Sequence, residues 1–140
     1  MSSLLGVLMR YRAHRIVVNA DIKEMFPQFP VAERDRDFLA FLWHVDPAAE
    51  PDVFINLRHV FGAKCSPAIA NHAVAVAVRR VDPELVEIVK SCLYMDDYYG
   101  GGDKASNVID RFQQLRKAMR VSSLEMGKIL SNSHTGPLSR

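Results

Sequence analysis

The most informative segment of the sequence reads Leu93-Tyr94-Met95-Asp96-Asp97-Tyr98-Tyr99-Gly100, with two adjacent aspartates between two apolar and aromatic runs. Aromatic residues favour strands, so the segment predicts a β-hairpin with the two acids at its tip and the following glycines at its end. Adjacent like charges cost energy unless solvent, hydrogen bonds or cations offset them. Two interpretations remain open here: an exposed turn, in which Asp is common, or a site that binds cations.

A third acid, Asp21, ends the β-branched run that starts at Ile16 and predicts a buried strand. An unpaired charge would be costly in that position. Asp21 is either the N-cap of the turn that starts at Ile22 or a strand-end acid that meets the aspartate pair at one edge of a shared sheet. Three converging carboxylates repel one another without a metal, and Mg²⁺ prefers hard oxygen ligands. The second alternative therefore predicts a magnesium site.

The rest of the chain predicts an α+β fold, a mixed or antiparallel sheet with helices packed on one face. Helical spacing or capping signals mark residues 2–14, 67–80, 83–90 and 104–120, with Ser66 as N-cap of the second helix. Residues 38–44 and 53–60 predict a β-hairpin with a long loop. Two prolines predict irregular structure in residues 26–30. The polar residues 131–140 predict a disordered tail.

Composition limits the classes of function. The chain has 140 residues, enough for one domain, and its 49% hydrophobic and 24% charged content is typical of a soluble globular protein. Its net charge of +2 does not by itself indicate a nucleic-acid binder. The two distant cysteines exclude a C-x-x-C metal or redox site. No apolar run reaches 18 residues, so we expect an intracellular protein without a membrane span.

Three segments, taken in order, resemble the palm motifs of reverse transcriptases. They read Ala20-Asp21-Ile22-Lys23-Glu24-Met25-Phe26, Phe61-Gly62-Ala63-Lys64-Cys65-Ser66-Pro67-Ala68 and Leu93-Tyr94-Met95-Asp96-Asp97. Residues 124–133 faintly resemble the later segment in which the family often has a lysine, here Lys128. The combination, with residues 36–43 between the first two motifs, is most similar to BEL/Pao-type LTR retrotransposons.

The resemblance implies a reverse transcriptase palm, with part of the fingers, over residues 1–130. It implies RNA-directed DNA synthesis by two-metal nucleotidyl transfer from a dNTP to the primer 3′-hydroxyl. Asp21 and Asp96 would bridge two Mg²⁺ ions (Mn²⁺ as a substitute), with Asp97 in support and the carbonyl of Ile22 nearby. The implied partners are an RNA or DNA template-primer, dNTPs and the rest of a retroelement polyprotein. The implied location is the cytoplasm, in a virus-like particle of the parent element.

The resemblance also gives roles to four residues outside the acid set. Phe26 would be a steric gate against the 2′-hydroxyl of ribonucleotides, or else a core side chain. Phe61 and Gly62 would pack on the nucleotide, or else form a strand-to-helix turn that needs a glycine. Lys128 would be a general acid for pyrophosphate, or else a solvated surface lysine.

Fingers upstream and a thumb downstream are expected in family members, and residues 1–140 contain neither in full. We therefore interpret the chain as a truncated palm. A rival interpretation is a catalytically inactive remnant of a retrotransposon polyprotein. A third is an unrelated metal-binding α+β protein.

Overall fold

A computed structural model describes residues 3–133, which form helices around antiparallel sheets. The elements, in chain order, are α1 (Leu4–Arg12), β1 (Ile16–Ile22), α2 (Met25–Gln28), a 3-10 helix (Glu33–Leu39), β2 (Ala40–Trp43), β3 (Asp52–Ile55), α3 (Ser66–Arg79), α4 (Leu85–Cys92), β4 (Leu93–Tyr94), β5 (Asp97–Gly102), α5 (Ala105–Val121) and β6 (Met126–Ser131). The α+β prediction is confirmed. No helix in this described part is long and apolar enough to cross a membrane.

The main sheet has the strand order β4-β5-β1-β6, and every neighbouring pair is antiparallel. Successive side chains of a strand point to opposite faces. Val18, Ala20 and Ile22 of β1 therefore share one face, where they are buried in a core with Tyr98 of β5 and Phe112 of α5. The opposite face of the same strands carries the polar residues that concern function.

The helices begin where their local sequences allow, but the structure departs from the prediction in two places. Ser3 caps α1, its hydroxyl accepting a 3.1 Å hydrogen bond from the N–H of Gly6. The N-cap of α3 is Cys65, and the predicted cap Ser66 is wrong because this residue lies buried inside the first turn. The predicted irregular segment also contains the short helix α2. Pro27 is compatible with it because the first turn needs no intrahelical N–H donor.

β5 continues through the triple glycine to Gly102, two residues beyond the predicted strand end at Gly100. A Cβ at Gly100 would overlap the phenol ring of Tyr98 on the same face. A Cβ at Gly101 would lie 2.8 Å from side-chain atoms of His14. These glycines thus make room for neighbouring groups within a paired strand.

The predicted hairpin exists as a second, two-stranded sheet that pairs β2 with β3. It is shorter than predicted at both ends, because the 3-10 helix takes up the chain as far as Leu39 and β3 stops at Ile55, well before residue 60. All eight of its strand residues are exposed.

The beginning of the predicted disordered tail is held against β1. Ser131 is the last residue of β6, and its hydroxyl donates to the carbonyl of Val17 over 2.8 Å. The side chain of Asn132 accepts from the N–H of Val17 and donates to the carbonyl of Arg15, both over 2.9 Å. The rest of the predicted tail, residues 134–140, lies outside the described residues.

Candidate metal and nucleotide site

Asp21 and Asp97 lie directly opposite each other on neighbouring strands, near the end of the main sheet. The register of β1 and β5 pairs their Cα atoms, so both side chains project from the polar face. Like charges in directly opposite positions are destabilising without a compensating group. The Asp21 side chain is only 20% exposed, which removes much of the screening by water. The pair therefore concentrates negative charge at one place.

Asp96 is held beside this pair by the backbone. It follows Met95 in the two-residue turn between β4 and β5, and its carbonyl accepts a 2.7 Å hydrogen bond from the N–H of Ile22. That bond joins the turn to the end of β1, one residue after Asp21. The structure thus brings the three predicted acids to one end of the sheet, with Asp97 in register with Asp21. The side chain of Ile22 is buried in the core.

Gly127 of β6 is the partner of Asp21 on its other side. A Cβ at this position would lie 2.8 Å from Cε of Lys23 and 3.4 Å from Oδ1 of Asp21. The absence of a side chain at Gly127 therefore lets the aliphatic chain of Lys23 pass beside the Asp21 carboxylate. Oδ1 of Asp21 is buried and has no hydrogen-bond partner among the described residues. Such an orphaned oxygen costs about 1–3 kcal/mol or more if it stays unsatisfied.

A β-bulge turns Lys128 towards Asp21. The register of β1 with β6 shifts between Asn19 and Asp21, and Lys128 adopts a φ of 44°. Bulges redirect side chains and often lie next to active sites. Nζ of Lys128 lies 3.6 Å from Oδ2 of Asp21, although the lysine side chain is 85% exposed. An ion pair so open to water contributes little stability.

Backbone strain is concentrated around these residues. Four non-glycine residues in the described ranges have positive φ, namely Glu24, Met95, Ser123 and Lys128. Three of them lie within three residues of Asp21 or Asp96, or contact Asp21 directly. Strained backbone of this kind costs of order 1–3 kcal/mol per residue and clusters at functional sites.

A basic groove of about 600 Å³ lies along β6 and includes Gly127, the strand partner of Asp21. Lys23, Arg116 and Lys128 line it together with one acid, Glu125. Nζ of Lys23 lies 3.2 Å from a carboxylate oxygen of Glu125. Nε of Arg116 is buried and lacks a hydrogen-bond acceptor in the part of the chain that the structure describes. The groove thus presents excess positive charge beside the acids, which suits an anion.

The hydroxyl of Tyr99 donates a 3.1 Å hydrogen bond to Oδ2 of Asp97. Partial burial, followed by the negative charge of Asp97 and this hydrogen bond, raises the pKa of Tyr99 above its ordinary value. The phenol therefore stays protonated at neutral pH and remains a donor.

The predicted nucleotide-contacting residues form a separate aromatic pair. Phe26 is 5% exposed, and its ring meets that of Phe61 edge to face, with 4.8 Å between centroids. Phe61 itself is 71% exposed. Gly62 has a φ of 88°, so the turn requires a glycine whether or not a nucleotide binds. The structure places Phe26 mainly in the core and leaves Phe61 as the accessible ring.

Residues 3–129 match the family described as Reverse transcriptase (RNA-dependent DNA polymerase). The chain belongs to the reverse transcriptase family. No curated protein matches it. A reverse transcriptase domain implies binding of a nucleic-acid template-primer and dNTPs, and the family is generally Mg²⁺-dependent.

The acids of this reverse transcriptase domain fit a magnesium ion only in part. Within residues 3–133, no group of three or more His, Cys, Asp or Glu side chains is placed so that it could cage a metal ion. Mg²⁺ seldom uses such a cage, because it binds one or two carboxylates and completes its shell with water and substrate phosphates. The opposed Asp21 and Asp97, one of which has an orphaned oxygen, supply two such carboxylates.

Sequence reasoning missed four residues of the site, namely Lys23, Tyr99, Arg116 and Gly127. Two of them could have been found. Lys23 follows Asp21 by two residues, which is the spacing of side chains on one face of a strand. Gly127 lies within a strand pattern, where a glycine indicates the close approach of another group. Arg116 comes to the groove from α5 through tertiary packing, and nothing in its local sequence indicated this.

Proposed function

We propose that this chain is the catalytic palm of an RNA-directed DNA polymerase, which transfers a nucleotide from a dNTP to a primer 3′-hydroxyl. The observation that carries the proposal is the opposition of Asp21 and Asp97, with Asp96 bonded to the end of the same strand. Family membership supports the reaction type.

In this proposal, Asp21, Asp96 and Asp97, with the carbonyl of Ile22, hold two Mg²⁺ ions. Bound there, the ions would activate the primer 3′-hydroxyl and neutralise charge on the leaving pyrophosphate. Oδ1 of Asp21 has no hydrogen-bond partner among the described residues and would be available for this purpose. By holding the ions, the three carboxylates would orient the primer end towards the α-phosphate.

Lys23, Arg116 and Lys128 would bind the phosphates of the dNTP. Their groove lies directly beside Asp21, and a buried guanidinium N–H is available there. Lys128, which the bulge directs to the acids, is our candidate for protonating pyrophosphate.

Phe26 and Phe61 would form the wall beneath the sugar. The bulk of Phe26 would exclude a 2′-hydroxyl, while the exposed ring of Phe61 and the backbone at Gly62 contact the nucleotide. Because Phe26 is almost fully buried, it would act through the position of Phe61 as much as by direct contact.

We further propose that the domain comes from a BEL/Pao-type LTR retrotransposon polyprotein and works in a cytoplasmic virus-like particle. Motif order and spacing support this origin. In-frame protease or integrase sequence in the encoding DNA would test it.

Primer extension tests the reaction. An oligo(dT) primer on an RNA template should gain dTMP in Mg²⁺, and Asp96→Asn should abolish the gain. Asp103→Asn is the matched control, because it removes an equal charge from an exposed site on the loop after β5. Extension that survives Asp96→Asn would contradict the proposal, and a wild-type chain that folds but extends nothing would favour the inactive remnant.

A further inference from the structure

Tyr99 links the acid pair to α1. It lies two residues after Asp97 on β5, so both side chains project from the polar face. Its hydroxyl donates to Oδ2 of Asp97, which leaves Oδ1 of that carboxylate to other ligands. A hydrogen bond to an ionised acceptor is stronger than one between neutral groups, so it restricts rotation of the carboxylate.

The ring of Tyr99 is held in turn by Tyr11. The two rings meet edge to face, with centroids 5.5 Å apart and an interplanar angle of 79°. Pairs of this geometry contribute about 0.5–1.5 kcal/mol beyond the area they bury. Contacts therefore run without a break from α1 through two rings to one carboxylate.

Arg10 fixes α1 against the strand that leads to the acids. Its Nε and Nη2 donate to the carbonyl of Ser91 over 3.3 and 2.9 Å. Ser91 lies near the end of α4, two residues before β4 and the turn that contains Asp96. The helix that supports Tyr99 is thus tied to the hairpin that carries both aspartates.

We propose that Tyr99 is a positioning residue for Asp97, which fixes the carboxylate so that its free oxygen is available to a divalent cation, and that α1 holds Tyr99 in place through Tyr11. The proposal rests on the function proposed above, in which Asp97 binds metal. Residues that orient a ligand from behind typically change metal affinity by about 10–100-fold when they are removed.

Mn²⁺ binding tests the proposal without any need for activity. The full chain is titrated with Mn²⁺ alone, and the electron paramagnetic resonance signal of free Mn²⁺ shows how much is bound. Tyr99→Phe removes the donor and keeps the ring, and it should weaken Mn²⁺ binding by about 10–100-fold. Tyr11→Phe is the matched control: it also removes one phenol hydroxyl from the same ring pair, and should bind Mn²⁺ as the wild type does. Tyr11→Ala removes the supporting ring and should weaken binding less than Tyr99→Phe does.

Circular dichroism of each variant separates positioning from folding. We expect Tyr99→Phe and Tyr11→Phe to melt at the same temperature, so that only the first loses affinity. Equal Mn²⁺ affinity in Tyr99→Phe and wild type, with weaker binding in Asp97→Asn, would overturn the role of Tyr99 and leave the proposed function standing. Wild-type protein that binds no Mn²⁺ would overturn both.

Discussion

The two sheets of this chain bury their side chains very differently. In the four-stranded sheet, one face is covered by helices and contains Val18, Ala20 and Tyr98, while the other face carries the acids. In the β2–β3 hairpin neither face is covered, and Leu42, Trp43 and Val53 are each more than 60% exposed. The first sheet is polar on its open face, and the second is apolar on both.

This difference shows where the chain can sustain unfavourable local features. Opposed carboxylates and positive φ angles are costly, and they persist only where surrounding packing determines the backbone. The covered face of the main sheet supplies that packing beneath Asp21 and Asp97. An isolated two-stranded hairpin is only marginally stable in water, so it could not support a comparable site.

Asp21→Asn should give the largest effect and would test the main sheet directly. The amide removes the charge that holds metal, so extension should fall by roughly 10³-fold or more. Stability should instead rise by about 1 kcal/mol, because the orphaned carboxylate oxygen no longer carries charge and repulsion from Asp97 is relieved. Urea unfolding measures this change. A strong loss of stability would make Asp21 a structural hydrogen-bond acceptor instead.

Removing one aromatic ring from each sheet region should show how differently the two sheets contribute to the free energy of unfolding. Phe112→Ala empties a fully buried position under Tyr98 and should cost about 3–5 kcal/mol. Phe41→Ala, which loses a stacked but half-exposed ring in the hairpin, should cost about 1 kcal/mol or less. Equal losses in thermal unfolding would show that the hairpin is part of the same cooperative core.

Phe26→Val should change selectivity with a smaller effect on the rate with dNTPs. Loss of the ring should admit ribonucleotides, which competition between dTTP and UTP would measure. Phe29→Val is a suitable control, because it removes a second phenylalanine ring that packs against the same core. If Phe26→Val unfolds the chain and Phe29→Val does not, the ring is a core residue and the gate is withdrawn.

The double change Leu42→Ser with Val53→Ser should have the smallest effect on stability, within about 0.5 kcal/mol, because both side chains are already exposed. It should raise the soluble fraction, since it removes part of a contiguous apolar surface. Static light scattering would measure the change. A large fall in melting temperature would instead show that these side chains are buried in solution.

Much of the fold could be predicted because its elements follow local periodicity. The β-branched run of β1, the apolar stripe of α5 and the alanine-rich α3 all appear where they were predicted, within a few residues. The errors arose where tertiary contacts determine the local structure. Gly101 and Gly102 extend β5 beyond its predicted end because they pair with Val17 and Ile16 of β1, and Ser66 lies inside α3 because Cys65 takes the capping position.

The acids of the candidate site could be predicted, but several of the groups around them could not. Acids at strand ends are visible in the sequence, and so was the edge of the sheet where Asp21, Asp96 and Asp97 meet. The bulge that turns Lys128 depends on the register between β1 and β6, which no local pattern specifies.

The central claim is that the opposed aspartates bind metal. Anomalous diffraction from crystals of the chain grown with saturating Mn²⁺ would test it most directly. We predict a peak within about 2.0–2.2 Å of Oδ1 of Asp21 that is also bonded to Asp96 or Asp97. A well-ordered site without a peak there, or with Mn²⁺ bound only elsewhere, would contradict the account.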